Sequence, residues 1–230
     1  MNFSSPTTNA PMLLSELVDA STPTNHTHAP VWAAQVLREA MIQGVLAPGA
    51  KLGEVQLTEQ LGISRNTLRQ AFTALEAEHL VTRVPNRGVF VVVPDAQQIQ
   101  ELFTLRLALE GAAIDLAPTR EHTKLRAIIT ESAAHRERKS AAGMAAANQN
   151  FHRGLVALAG SPRLDALMAH ALAEMRLLFH SMTTVPDFHA PFIDKNAHLL
   201  QLIENGQKPQ ARDYLHGYLE ESAAYFAGRV

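Results

Sequence analysis

Leu52-Gly-Glu-Val-Gln-Leu-Thr-Glu-Gln-Leu-Gly-Ile-Ser-Arg-Asn-Thr-Leu-Arg-Gln-Ala-Phe-Thr-Ala-Leu75 decides how the chain folds at its N-terminal end. Leu57 and Leu61 fall on one helical face, Gly62 breaks that helix, and the Ser64 side chain is suited to cap a second one. The second helix reads through Arg65, Leu68, Arg69, Phe72 and Leu75. After it, Leu80-Val-Thr-Arg-Val84 and Gly88-Val-Phe-Val-Val-Val93 are short, apolar and β-branched. Pro85-Asn-Arg-Gly88 between them has turn chemistry, so the pair predicts a hairpin. A short helix, a tight turn, a helix opening on arginines and a hairpin tipped by arginine form the parts of a winged helix-turn-helix that holds DNA.

Upstream, a helix is expected over 31–43, with Val36, Leu37, Ala40 and Met41 inward and Gly44 ending it. Pro48-Gly49 makes a turn, and Lys51-Leu52 supplies a short strand to the wing. Past Pro94-Asp95 the character changes, because apolar residues now recur at i, i+3 and i+4. Helices are expected at 96–117, 121–141, 144–159, 163–184, 191–205 and 208–228, with breaks at Pro118, Gly143, residues 160–162, 186–191 and 206–209. The fold class is therefore mainly α. A winged helix-turn-helix over 31–95 precedes an all-helical bundle over 96–230, and residues 1–30, rich in Ser, Thr, Pro and Asn, read as a mobile tail. Within that tail, residues 12–18 (MLLSELV) form a short apolar patch.

Several function classes are excluded by composition. The 230 residues include no cysteine, so disulfides and thiolate metal sites are ruled out. No apolar run approaches the ~18 residues of a membrane helix. Residues 1–30 carry no Lys or Arg, which is unlike a secretory signal and makes the cytoplasm the expected location. Net charge is −2, and residues 31–95 hold six basic and six acidic side chains, yet Arg65, Arg69, Arg83 and Arg87 gather in the recognition helix and wing. Local field, rather than net charge, governs the encounter with DNA. An enzyme is the competing class, because eleven histidines invite it. However, the chain has no His-Glu-x-x-His, no Gly-x-Ser-x-Gly and no Gly-rich phosphate loop.

Residues 42–52 (IQGVLAPGAKL), Glu54, residues 61–69 (LGISRNTLR), Leu75-Glu76 and residues 85–88 (PNRG) resemble the GntR transcription regulators. Residues 102–111 (LFTLRLALEG), 148–152 (NQNFH) and 160–164 (GSPRL) resemble their FCD branch, so the likeness covers about 31–228. The resemblance implies a homodimer on a roughly palindromic operator, released when a small molecule enters the helical domain. It places Arg65, Asn66, Thr67 and Arg69 on the recognition helix, and Arg87 and Gly88 at the wing tip. Val55 stands where many members carry a basic residue, so one backbone contact is expected to be missing. Physically, an arginine fork takes guanine O6 and N7 together, and glycine lets backbone approach closely.

Many FCD members hold a divalent metal through an Asp and three His. In this chain those positions fall at Asn148, His152, Asn196 and Tyr218, and three of the four are neutral replacements. A polar, metal-free effector pocket made by these four is the expectation. The alternative is a metal-dependent regulator with a rearranged set, His152 with His198 and His216. His198 lies two positions from Asn196, about 200° around a helix, and so faces elsewhere. Arg106 and Arg176 are candidate handles for a carboxylate effector. Each lies beside an apolar stripe, where Arg106 could equally pair with Glu110. Small organic acids are the first expectation for the effector, and a fatty acyl thioester is the second.

Overall fold

The computed structural model describes residues 28–181 and 188–229, together with Leu14. The tail expected over 1–30 lies outside the described residues, apart from Leu14 and its last three positions. Two compact units divide the chain, residues 1–92 and 93–230.

In the first unit, α1 (Ala29–Ile42) starts two residues before the expected boundary. Pro30 sits in its first turn, where no amide hydrogen is required. It buries Val36, Leu37, Ala40 and Met41. Helix α2 (Glu54–Leu61) ends at Gly62, whose φ of 63° is left-handed backbone that suits glycine. Helix α3 (Arg65–Ala77) opens at Ser64, whose hydroxyl accepts the Thr67 N–H at 3.1 Å. Leu68, Ala71, Phe72 and Leu75, spaced i, i+3, i+4 and i+7, are all buried. The strands β1 (Lys51–Leu52), β2 (Val81–Val84) and β3 (Gly88–Val91) pair antiparallel in the order β1-β3-β2, with Leu52 opposite Val89 and Thr82 opposite Phe90. The Arg87 N–H donates to Val84 O at 3.0 Å and closes the wing turn. A two-pronged ion pair from Arg38 to Glu78, both bonds 2.6 Å, ties α1 to the end of α3.

The second unit holds six helices among the described residues. Helix α4 (Ala96–Leu116) begins in a capping box, where Asp95 accepts the Gln98 N–H at 2.8 Å and Gln98 accepts the Asp95 N–H at 3.0 Å. There follow α5 (Thr123–Glu137), α6 (Ala141–Ala157), α7 (Pro162–Ser181), α8 (Ala190–Glu204) and α9 (Lys208–Ala227). One expected break is corrected. Gly143 does not end a helix but lies within the first turn of α6, which Ser140 caps by accepting the Gly143 N–H at 3.2 Å. The chain reverses at Lys139, with φ 53°, so α5 stops at Glu137 instead of 141. Glycine is needed at 143 because a Cβ there would lie 2.2 Å from the His135 ring. Helix α7 is described to Ser181, and the rest of the stretch expected to reach 184 lies outside the described residues. Helix α4 packs against α6, α7 and α9 around Ile99, Phe103, Ile114, Phe151, Leu155 and Phe226. No described helix is long and apolar enough to cross a membrane.

Candidate DNA-contact face and buried polar network

Two arrangements of polar side chains stand out, one in each unit. On the first, the start of α3 turns Arg65, Asn66 and Arg69 outward, with Thr67 half-buried beside the Ser64 cap. Arg69 reaches across the turn to Glu54 on α2, with Nη2 to Oε2 at 3.2 Å, and remains 60% exposed. Arg83 on β2 donates to Glu76 at 2.8 Å, to Thr73 Oγ1 at 3.0 Å and to Arg69 O at 3.3 Å. It therefore braces the wing against α3. At the wing tip the Arg87 guanidinium lies 5.7 Å from the Phe90 ring centroid, and exposed Gly88 takes a φ of 110°. Val55 is exposed at the start of α2, as an apolar residue on a polar face.

On the second unit, five of the six expected pocket residues come together, delivered by four helices. Helix α4 brings Arg106 and Glu110, α6 brings Asn148 and His152, α8 brings Asn196, and α9 brings Tyr218. All of these are buried. Arg106 donates from Nε to Glu110 Oε1 at 2.9 Å. His152 Nδ1 lies 2.7 Å from Glu110 Oε2, and its Nε2 lies 3.2 Å from the Tyr218 hydroxyl. The same hydroxyl is 3.1 Å from Asn196 Oδ1 and 3.4 Å from Asn148 Oδ1, and Asn196 Nδ2 donates to Asn148 Oδ1 at 2.8 Å. The sixth is Arg176. It is half-buried on α7, where its charge acts on His189.

The protonation pattern follows from these partners. Burial raises Glu110, but the charges of Arg106 and His152 and their hydrogen bonds outweigh it, so its pKa is held below the ordinary carboxylate value. Burial pulls His152 below the ordinary imidazole value; Glu110 opposes this and Arg106 adds to it. Burial drives Tyr218 upward, so the phenol keeps its proton. A neutral His152 that donates from Nδ1 to Glu110 leaves Nε2 to accept from Tyr218. One phenolic hydrogen then serves one of three neighbouring acceptors, His152 Nε2, Asn196 Oδ1 and Asn148 Oδ1. In the imidazolium form the chain of donors runs the other way, from Nε2–H to the phenol and from the phenol to Asn196. The network thus has two hydrogen-bond directions, set by one proton on His152.

Comparison with known proteins gives the geometry its family. Residues 32–91 match the family model for bacterial regulatory proteins of the gntR family, and residues 101–221 match the FCD domain. The chain belongs to the GntR family, in its FCD branch. Across 134 residues it is 34% identical to an HTH-type transcriptional regulator of the TAR-I ttuE-ttuC' intergenic region of Agrobacterium vitis, covering 55% of this chain and 78% of that one. It is 29% identical over 161 residues to the "probable D-xylose utilization operon transcriptional repressor" of Paenarthrobacter nicotinovorans, with coverage of 66% and 71%. A solved GntR regulator from Rhodococcus sp. RHA1 superposes with a TM-score of 0.77 at 33% identity, spanning 87% of this chain and 98% of that one. This GntR chain is accordingly a DNA-binding transcriptional regulator and not an enzyme.

The metal site of many FCD proteins does not fit this member of the branch. The Tyr218 oxygen sits within 3.4 Å of the nitrogen or oxygen atoms of His152, Asn148 and Asn196, and so fills the centre that a cation would need. The remaining donors are one imidazole and two neutral amides, a poor set for a divalent ion. The rearranged set is corrected as well. His198 lies exposed with its ring 4.6 Å from that of Tyr214, and His216 lies exposed beside Glu220 at 3.3 Å, whereas His152 is buried. Among the described residues no three His, Asp or Glu side chains are grouped to hold a metal.

Glu54 was not among the expected site residues. It is fifteen positions from Arg69 and on a different helix, and only the turn geometry brings the pair together. Glu110 was legible, since it stands four residues after Arg106 and an i, i+4 pair shares a helix face. Its role as the partner of His152, forty-two positions away, was not.

Proposed function

We propose that this chain is a homodimeric, ligand-responsive repressor that leaves a roughly palindromic operator when a small carboxylate-bearing effector binds its helical domain. The observation that carries the reading is the capped α3, which presents Arg65, Asn66 and Arg69 to solvent beside the arginine-tipped wing. Arg65 and Arg69 read base edges, with Asn66 and Thr67 between them. Arg87 enters the minor groove or meets phosphate, and Gly88 lets the wing backbone approach. The repressor sign draws support from the name of the Paenarthrobacter relative. A dimer of identical reading heads accounts for operator symmetry. The same reading puts the protein in the cytoplasm, where it would meet operator DNA.

In the helical domain, Asn148, His152, Asn196 and Tyr218 form the polar centre that senses the effector without a metal. Arg106 serves as the counter-charge of Glu110. The test is selection of bound genomic fragments by the purified protein, followed by footprinting. Two protected half-sites about one helical turn apart are expected. Uniform binding that falls steeply with salt and protects no defined site would overturn the reading.

A further inference from the structure

A solvent-facing cleft lies beside the buried network. It has a volume of about 300 Å³ and lies between the start of α8 and the end of α9, lined by Phe188, Pro191, Phe192, Lys195, Glu221 and Tyr225. Its size is at the lower end for small-molecule sites and suits a ligand with a single ring. Phe188 and Tyr225 stack at 5.2 Å and 27°, and Phe192 stacks on Tyr218 of the network at 5.9 Å and 24°. The cleft's inner wall is thus the network's outer wall. Ser222, also at the cleft, donates its hydroxyl to the Tyr218 carbonyl at 2.8 Å.

Charge at the cleft is asymmetric in a way that selects the ligand. Lys195 and Glu221 form an ion pair, but Lys195 is 28% exposed and Glu221 is 72% exposed. The Lys195 ammonium is also held 5.2 Å from the Tyr218 ring centroid, a cation–π contact that Glu221 lacks. An exposed ion pair of this kind is weak, so Glu221 swings into water at little cost while Lys195 stays. Arg229, stacked 3.5 Å from the Tyr225 ring centroid, adds a second positive charge nearby. Arg106, the handle expected from sequence, is committed to Glu110 in the interior.

We propose that this aromatic cleft is the effector site, and that it takes a small aromatic monocarboxylate whose ring lies among Phe188, Phe192 and Tyr225 and whose carboxylate replaces Glu221 on Lys195. This rests on the ligand-responsive reading above. Such a ligand presses on Phe192, which stacks on Tyr218, so occupancy reaches the buried network through that ring pair.

The test titrates the full-length protein calorimetrically with 3-phenylpropionate, its neutral amide 3-phenylpropionamide, and propionate. The acid is expected to bind at least about tenfold more tightly than either the amide, which lacks charge, or propionate, which lacks a ring. Lys195→Gln is expected to weaken the acid at least about tenfold, and Glu221→Gln to leave it unchanged or tighter. Phe192→Leu, a milder change to the wall, is expected to weaken it as well. Equal binding of acid and amide, or unchanged binding in a folded Lys195→Gln protein, overturns the proposal. Operator affinity is read by fluorescence anisotropy in the same samples. If the ligand-free protein holds no operator, the repressor reading fails. If it holds one and 3-phenylpropionate still releases it from Lys195→Gln with unchanged potency, the cleft alone fails.

Discussion

Two Arg–Glu pairs in this molecule share their chemistry and differ in their surroundings. Arg69 meets Glu54 at 3.2 Å on the open face of the DNA-binding unit, and Arg106 meets Glu110 at 2.9 Å in the centre of the helical unit. The first is bathed in water, where such pairs contribute at most about 1 kcal/mol. An arginine held that loosely is free to exchange its carboxylate for a phosphate or a guanine edge. Glu110 is wholly buried, and its second oxygen is taken by His152, so removing it strands two cationic or polar partners in the interior. In the proposed reading the surface pair keeps a recognition group in position until DNA arrives, whereas the buried pair holds Glu110 between Arg106 and His152.

The largest test of that contrast is Glu110→Ala. Breaking one side of a buried ion pair costs about 3–5 kcal/mol, so the helical unit should unfold at markedly lower urea concentration. A loss below about 1 kcal/mol would show that water already reaches the pair.

Next in size is the response to acid. Burial, reinforced by the charge of Arg176, lowers His189 from 6.5 to about 4. The unfolded chain therefore takes up this proton first as pH falls, and the stability present above about 6.5 is lost progressively down to about 4. The full effect is about 3 kcal/mol. Glu174 acts in the opposite sense. Burial raises it to about 7, so its contribution, complete below 4.5, is lost as pH rises to about 7. Melting temperatures of the wild type and His189→Asn should thus diverge between pH 6.5 and 4, with the variant losing less. Parallel curves would remove His189 as the cause.

How far these regions could be read from sequence differs with the range of their contacts. The α3 helix was legible because its signals are local: the glycine that stops α2, a Ser cap and an i, i+4, i+7 stripe lie within fifteen residues. The wing followed from Pro85-Asn-Arg-Gly88 for the same reason. In the helical unit the apolar periodicity located each of the described helices, but the α5–α6 boundary slipped. Gly143 resembles a break in sequence, whereas its cause is the His135 ring packed against it. The positions of Asn148, His152, Asn196 and Tyr218 were identified through family likeness. That the Tyr218 oxygen fills the middle of the group depends on four helices meeting, and no local pattern encodes it. Lys195 and Phe192 escaped notice for a similar reason, since a cleft is a property of packed helices.

Arg69→Ala tests the surface half of the comparison. Discrimination between operator and scrambled DNA should fall by about 1–3 kcal/mol, roughly fivefold to 150-fold. Stability should stay within about 0.5 kcal/mol of wild type, because the side chain is mostly exposed. If discrimination is unchanged while stability drops, Arg69 is a structural residue and the contrast with Arg106 disappears.

The smallest and most diagnostic change is Glu54→Gln. It keeps the shape of the side chain and removes the charge that faces Arg69, so stability should move by less than about 1 kcal/mol. On DNA two effects favour the variant: Arg69 no longer leaves a carboxylate, and one negative charge is removed from the phosphate-facing side. Neither depends on base sequence. Scrambled DNA should therefore gain affinity at least as much as operator DNA, and the ratio between them should stay level or fall. Anisotropy titrations of both duplexes at one fixed salt concentration measure that ratio. A gain confined to operator DNA would mean that Glu54 restrains Arg69 at the base edge itself. The exposed pair would then be part of the reading head in its bound form, rather than a clasp that opens when the operator arrives.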